Sequence, residues 1–123
     1  MRPASPEPVS TDIGVLLERV AGRDAAAFVH LHDLMAGRIL DLVGAETGDT
    51  AAAPAITRAV FLEVWWLAPL TRPGDARSWL TAIAVRRSVE HLRTPSGWFG
   101  PVYDRHIARE LAAVLAAGAA SPG

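Results

Sequence analysis

The chain has no cysteine, which excludes disulfide scaffolds, thiolate zinc sites and cysteine nucleophiles. Lysine, asparagine and glutamine are missing too, so every side-chain cation apart from histidine is an arginine. Codon bias in a GC-rich genome accounts for that skew and for the 23 alanines, although the guanidinium does bring a planar, multi-donor head suited to phosphates and bases. Long hydrophobic runs are absent as well. The longest stretch of apolar and glycine residues, Leu111 to Ala120, is ten long, whereas a membrane-spanning helix needs about 20. Met1 to Pro8 has no apolar core and does not read as a secretory signal. The expectation is a soluble, cytoplasmic protein with no membrane contact. What remains is 123 residues, 50% hydrophobic, enough for one packed domain.

Catalytic patterns are missing in the same way. There is no glycine-rich phosphate loop and no serine in a strand-to-helix elbow. His30 and His32 stand at i, i+2, which points them apart on a helix. Neither His91 nor His106 has a third donor at ligand spacing. The chain therefore reads as no enzyme, with no metal site and no cofactor.

Charge is unevenly distributed. Residues 1–71 hold five arginines against nine acids (−4), and residues 72–123 hold seven against four (+3), which together give the net charge of −1. A positive second half is compatible with local contact to nucleic acid, and equally with solvated helices.

Hydrophobic periodicity divides the chain into helices. Residues 1–10 carry three prolines and no period, the mark of a disordered lead. Ile13, Leu16, Leu17 and Val20 form one face of a first helix capped by Thr11 or Asp12 and ended by Gly22. Asp24 caps a second, with Phe28, Leu31, Met35, Ile39 and Leu42 as its stripe, Val43 extending it, and a break over Gly44 to Asp49. A third begins at Thr50 with Pro54 in its first turn and buries Ile56, Val60, Val64 and Leu67, widened by Phe61 and Trp65. Pro69 and the Arg72-Pro73-Gly74 turn stop it.

Asp75 caps a fourth helix. Its expected core face is Ala82, Val85, Val89 and Leu92, with Trp79 and Ile83 beside it; Arg86, Glu90 and Arg93 lie on another face, flanked by Arg87 and His91. Thr94 to Gly97 ends this helix, Trp98 to Tyr103 forms a loop, and a last helix capped by Asp104 carries Ile107, Leu111, Val114 and Leu115 up to Gly118. Trp65 and Trp79 read as core. Trp66 reads as partly exposed or part of a partner surface, and Trp98 as packed on the bundle or on a partner. No strand-like alternation occurs. The fold class is all-α, a bundle of four main helices plus one C-terminal helix.

Several segments together resemble a known family. Leu16-Leu17-Glu18-Arg19-Val20-Ala21-Gly22-Arg23-Asp24-Ala25-Ala26-Ala27-Phe28, His32-Asp33 and Arg38-Ile39-Leu40 look like the opening of region 2 in extracytoplasmic-function (ECF) sigma factors of the sigma-70 family. Val60-Phe61-Leu62-Glu63-Val64-Trp65 resembles the third-helix signature. Ala76-Arg77-Ser78-Trp79-Leu80, Ile83-Ala84 and Arg86-Arg87-Ser88-Val89-Glu90-His91-Leu92-Arg93 resemble the fourth. The arginine pair looks most like the actinobacterial sigma-K branch. The resemblance covers residues 13–93. It implies a sigma region 2-like domain over 11–93 and a loop and helix over 94–123, where no region 4 fits.

In this family the second and third helices dock on a coiled coil of the RNA polymerase clamp, while the fourth helix and the loop before it read the −10 promoter element and hold a flipped base. The resemblance thus implies DNA contact by Arg86, Arg87, Glu90 and Arg93, with Thr71, Arg72, Asp75 and Ser78 near the flipped base. Arg58, Phe61, Leu62 and Trp65 would face polymerase. Departures accompany the match: Ala52-Ala53-Pro54-Ala55 stands where an acidic stretch is usual, Arg58-Ala59 replaces a Gln-Glu pair, and Val85-Arg86 stands where many members have Arg-Asn. Losing charge-assisted contacts costs about 1.5–3 kcal/mol each, so docking is expected to be weakened. Three readings follow: a region-2-only sigma factor binding RNA polymerase core and promoter DNA, a sigma mimic binding an anti-sigma factor or another regulator, and a degenerate paralogue. The free protein is expected to be a monomer, its last helix folded back on the bundle rather than pairing two copies.

Overall fold

Asp12, one of the two caps the sequence offers, opens the first helix: its carboxylate accepts the Gly14 N–H at 2.8 Å and the Val15 N–H at 3.4 Å. The computed structural model describes residues 12–71, 74–93 and 101–120, without the side chains of 101–103. Helix α1 (Ile13–Ala21) buries the expected stripe of Ile13, Leu16, Leu17 and Val20. Helix α2 (Ala25–Thr47) is capped by Asp24, whose carboxylate accepts the Ala27 N–H at 3.1 Å.

The break expected over Gly44 to Asp49 comes in the second half of that stretch, because the helix runs on through Gly44 to Thr47. A single interior glycine weakens a helix by only about 1 kcal/mol. Here the Thr47 hydroxyl donates to the Val43 carbonyl at 2.7 Å, and Gly48 ends the helix at φ 64, in the left-handed region that glycine tolerates. Phe28, Leu31, Met35, Ile39 and Val43 are buried, with Leu42 only partly so.

Helix α3 (Ala53–Leu67) begins three residues after the expected Thr50, with Pro54 in its first turn, and passes into a 3-10 turn at Ala68–Leu70. Its middle is buried almost all round: Ala59, Val60, Phe61, Leu62, Glu63 and Val64 are all inside. Helix α4 (Ala76–Arg93) follows. Asp75 caps it as expected, accepting the Arg77 N–H at 3.0 Å and the Ser78 N–H at 3.3 Å. Helix α5 (Pro101–Ala120) starts earlier and ends later than the sequence reading, so Asp104 lies in its first turn rather than ahead of it. The expected N-terminal lead, Thr11, Arg72-Pro73, the Thr94 to Gly97 ending and Trp98 lie outside the described residues.

The face of α4 is the main correction. Leu80, Ile83, Ala84 and Ser88 are buried, whereas Ala82 is exposed, Val85 and Val89 are partly covered, and Leu92 is 59% exposed. Counting apolar side chains rotated the helix the wrong way. Small residues occupy the closest approach instead, and the Ser88 hydroxyl is satisfied within the helix by the Ala84 carbonyl at 2.8 Å. Helix α2 is the hub, packing against α1, α3, α4 and α5, while α5 lies against α2 and α3 as the folded-back reading expects. Among the described residues there are five α-helices and no strand, and no helix is long and apolar enough to cross a membrane.

One core contact is pH-sensitive. The His32 ring packs edge-on against Phe61, with centroids 4.7 Å apart. Burial holds its pKa below the usual 6.5, outweighing the opposing pull of Asp33. The unfolded chain therefore takes up the His32 proton first on acidification. This contribution is full above the ordinary histidine range and is lost as pH falls through it toward the folded value. Urea midpoints at pH 7.5 and 5.5 should differ in that direction, and His32→Phe should reduce the difference.

Candidate nucleic-acid interface

An acid in the apolar interior of α3 organises the site. Glu63 is 7% exposed, and burying a carboxylate without a partner is strongly unfavourable. Helix α4 supplies two cations: Arg87 donates through Nε to Glu63 Oε1 at 2.7 Å, and Arg86 donates through Nη2 to Glu63 Oε2. Arg86 also pairs along its own helix with Glu90, Nη1 to Oε1 at 3.1 Å. The arginine pair is thus tied inward and joined by two acids. Arg87 is largely covered, with 17% of its side chain exposed, while Arg86 stays half exposed.

The eight expected DNA-facing residues divide by position. Ser78, Arg86 and Arg93 are exposed along one side of α4, with Glu90 beside Arg86. Arg93 has no ion pair among those found for the described residues. At the helix start, the Ser78 hydroxyl donates to Asp75 Oδ2 at 3.0 Å. That bond, then the backbone N–H groups of α4, hold the Asp75 carboxyl below its usual pKa. Thr71 is extended and half-buried, its hydroxyl donating to the Leu67 carbonyl at 3.2 Å. Arg72 lies outside the described residues. Thr71, Asp75 and Ser78 thus bracket the α3–α4 connection.

The four residues expected to face polymerase are less alike. Phe61 is fully buried, against Phe28 and His32. Leu62 is 1% exposed in a small cluster with Ala59 and Ile107 of α5. Arg58 Nη2 donates to both carboxylate oxygens of Asp104 on α5, at 2.9 and 3.0 Å. Trp65 is half-buried, packed on Phe28 with ring centroids 5.3 Å apart. Its neighbour Trp66 is 44% exposed, as the sequence suggests.

Two organising residues escaped the sequence reading. Glu63 was seen only as part of a signature, although a lone acid inside the apolar run Val60–Leu67 signals that a cation must meet it. Arg23 stood out only as part of the segment Leu16 to Phe28 that carries the resemblance. It adopts φ 66, unusual for a non-glycine residue. Its guanidinium donates to the Trp65 carbonyl at 2.6 Å and lies 4.8 Å from the Trp65 ring centroid, so a cation sits at the carbonyl end of α3. No signal in the sequence foretold that contact. At the other end of α4, His91 Nε2 lies 3.2 Å from Asp49 Oδ2. The Ala52 N–H, followed by His91, keeps the Asp49 carboxyl below its usual pKa.

The all-helical bundle is consistent with the region 2-like fold that the resemblance implies. No family model matches the chain, and no solved structure matches it. Curated proteins do. The chain is 38% identical over 90 residues to the ECF RNA polymerase sigma factor SigK of Mycobacterium tuberculosis (strain ATCC 25618 / H37Rv) and to that of Mycobacterium bovis (strain BCG / Pasteur 1173P2). It is 35% identical over 88 residues to SigK of Mycobacterium sp. (strain KMS). These matches cover 72% and 70% of this chain, and 48% and 46% of the relatives. The chain spans about half the length of the curated relatives it matches. Over the matched segment the chain is similar to ECF sigma factors of the SigK kind.

Proposed function

We propose that this chain is a sigma region 2 module for transcription initiation, docking on core RNA polymerase and contacting the −10 element of promoter DNA. The similarity to SigK carries the reading. The exposed side of α4 supports it: Ser78, Arg86 and Arg93 lie along the helix that would meet the non-template strand, and the Thr71–Asp75 connection flanks its start. Arginines there would hold the backbone while an extruded base is sheltered.

The Arg86→Ala, Arg87→Ala double variant is expected to lose open-complex formation. Because both arginines also hold Glu63, Arg93→Ala is the cleaner companion. Its loss should weaken single-stranded −10 DNA binding by the polymerase complex and lower the log-log salt slope by about 0.7. An unchanged affinity and slope would remove Arg93 from the interface.

One observation favours a second reading. Arg86 and Arg87 share Glu63, and Arg86 also pairs with Glu90, which offsets the cations that DNA would need. A sigma mimic that binds an anti-sigma factor would require no free arginines. Co-purification of an anti-sigma factor without polymerase, insensitive to Arg93→Ala, would favour it.

A further inference from the structure

Helix α5 covers part of α3. Ile107 is buried with Ala59 and Leu62, Leu111 enters the main core, and Asp104 takes Arg58. Toward its far end α5 lies so close to α2 that a Cβ at Gly118 would stand 2.2 Å from the Ala25 carbonyl oxygen and 2.6 Å from Val29 Cγ2. Only glycine fits that crossing. Two of the four residues expected to face polymerase, Arg58 and Leu62, are therefore occupied by the chain itself.

Three features make this cover separable. Among the described residues α5 packs on α2 and α3 alone, while α1, α3 and α4 hold to α2 without it. The Arg58 contact is incomplete: one nitrogen serves both Asp104 oxygens, and the buried Nε has no partner. Both side chains are more than one third exposed, so the pair adds little holding power. Below it a cleft of about 140 Å³ opens between α3, α4 and α5, with Ile56, Ala59, Glu90 and Ile107 in its walls. That end of the interface is not closely filled.

We propose that α5 is an intramolecular cover of the α3 docking face, and that polymerase binds only molecules in which α5 has lifted. This rests on the reading of α3 as the polymerase-docking helix. A partner helix replacing α5 would offer an apolar side chain to Ala59 and Leu62 and an acceptor to Arg58. Apparent affinity is then the intrinsic affinity scaled by the open fraction.

The test uses the full chain. Gly118→Leu drives the close crossing apart, and Asp104→Arg sets like charges at Arg58 while leaving the buried face intact. Hydrogen exchange over 104–120 reports release, and protection of α1–α3 reports that the bundle stays folded. Titration against mycobacterial core RNA polymerase then reads affinity. The expected result is faster α5 exchange and Kd lowered about tenfold for Gly118→Leu, the full gain from a state about nine-tenths closed, with a smaller gain for Asp104→Arg. Faster exchange with unchanged or weaker binding would overturn the cover and leave the polymerase reading standing. Unchanged exchange in both variants would also overturn it, because α5 would not be seated on this face. Absence of binding by the parent chain and both released variants would overturn the polymerase reading, and the cover with it.

Discussion

Glu63→Ala is expected to destabilise the bundle by about 3 kcal/mol, the lower end of what breaking a buried ion pair costs. Glu63 is buried, and its two oxygens take Arg86 and Arg87 from the facing helix. Removing the carboxylate leaves Arg87, itself largely covered, with a desolvated charge and no partner. Arg86 is half exposed and rehydrates, which keeps the loss at that lower end. The single Arg86→Ala change should cost about 1 kcal/mol, since Arg87 remains on Glu63. Arg87→Ala should cost more. A urea-denaturation cycle of Glu63→Ala and Arg87→Ala should be strongly non-additive, because either change alone breaks the same pair. Additive losses, or a Glu63→Ala protein within about 0.5 kcal/mol of the parent, would show that this knot does not hold α3 to α4.

Phe28→Ala should cost about 4 kcal/mol, within the usual range for emptying a buried aromatic site. Phe28 is fully buried, meeting Phe61 edge-on at 6.5 Å and Trp65 at 5.3 Å between ring centroids. Those rings belong to α3, so the cavity would open at the α2–α3 contact on which the bundle turns. A domain with total stability of about 5–15 kcal/mol would then lie close to unfolding at 37 °C. Leu92→Ala is the matched comparison. Leu92 ends α4 and is 59% exposed, so its truncation should change stability by less than about 0.5 kcal/mol. Thermal midpoints of the two variants measured side by side check both values. A large loss at Leu92 would restore the core face that its sequence implies.

That pair of leucine and phenylalanine also marks how far the sequence could be read. The stripes of α1 and α2 were legible because each runs unbroken at helical spacing and has a side-chain cap, Asp12 or Asp24, to fix its start. Helix α4 was not. Its apolar residues fall on two faces, and the buried one is chosen by Ala84 and Ser88, which allow close approach, and by Glu63, which draws Arg87 inward. A preference carried by small residues and one distant carboxylate leaves no periodic trace. The site divides in the same way. The order of segments pointed to α3 and α4, but the pairing of Arg86 and Arg87 with an acid 23 and 24 residues earlier is a tertiary fact. So is the cover of Leu62 by Ile107. The alanine-rich last helix was expected to fold back rather than pair two copies, but its pattern did not say where it would seat. Gly118, the residue that seats it against Ala25, looked in sequence like a helix end.

The charge difference between the halves takes on a narrower meaning in three dimensions. Arg58 is answered by Asp104 across the two halves, as Arg86 and Arg87 are by Glu63. The positive second half therefore places part of its charge inside the molecule, and Arg77 and Arg93 are the exposed arginines of α4 outside these ion pairs. Under the proposed function, DNA contact relies on them and on whatever part of Arg86 turns outward.

The most direct measurement is saturable binding of the purified full chain to core RNA polymerase, followed by mass photometry or co-elution, for the parent and for Gly118→Leu. A one-to-one complex, tighter for Gly118→Leu, is the expected result. No saturable complex from either protein at micromolar concentrations would contradict the account of this chain as a sigma region 2 module.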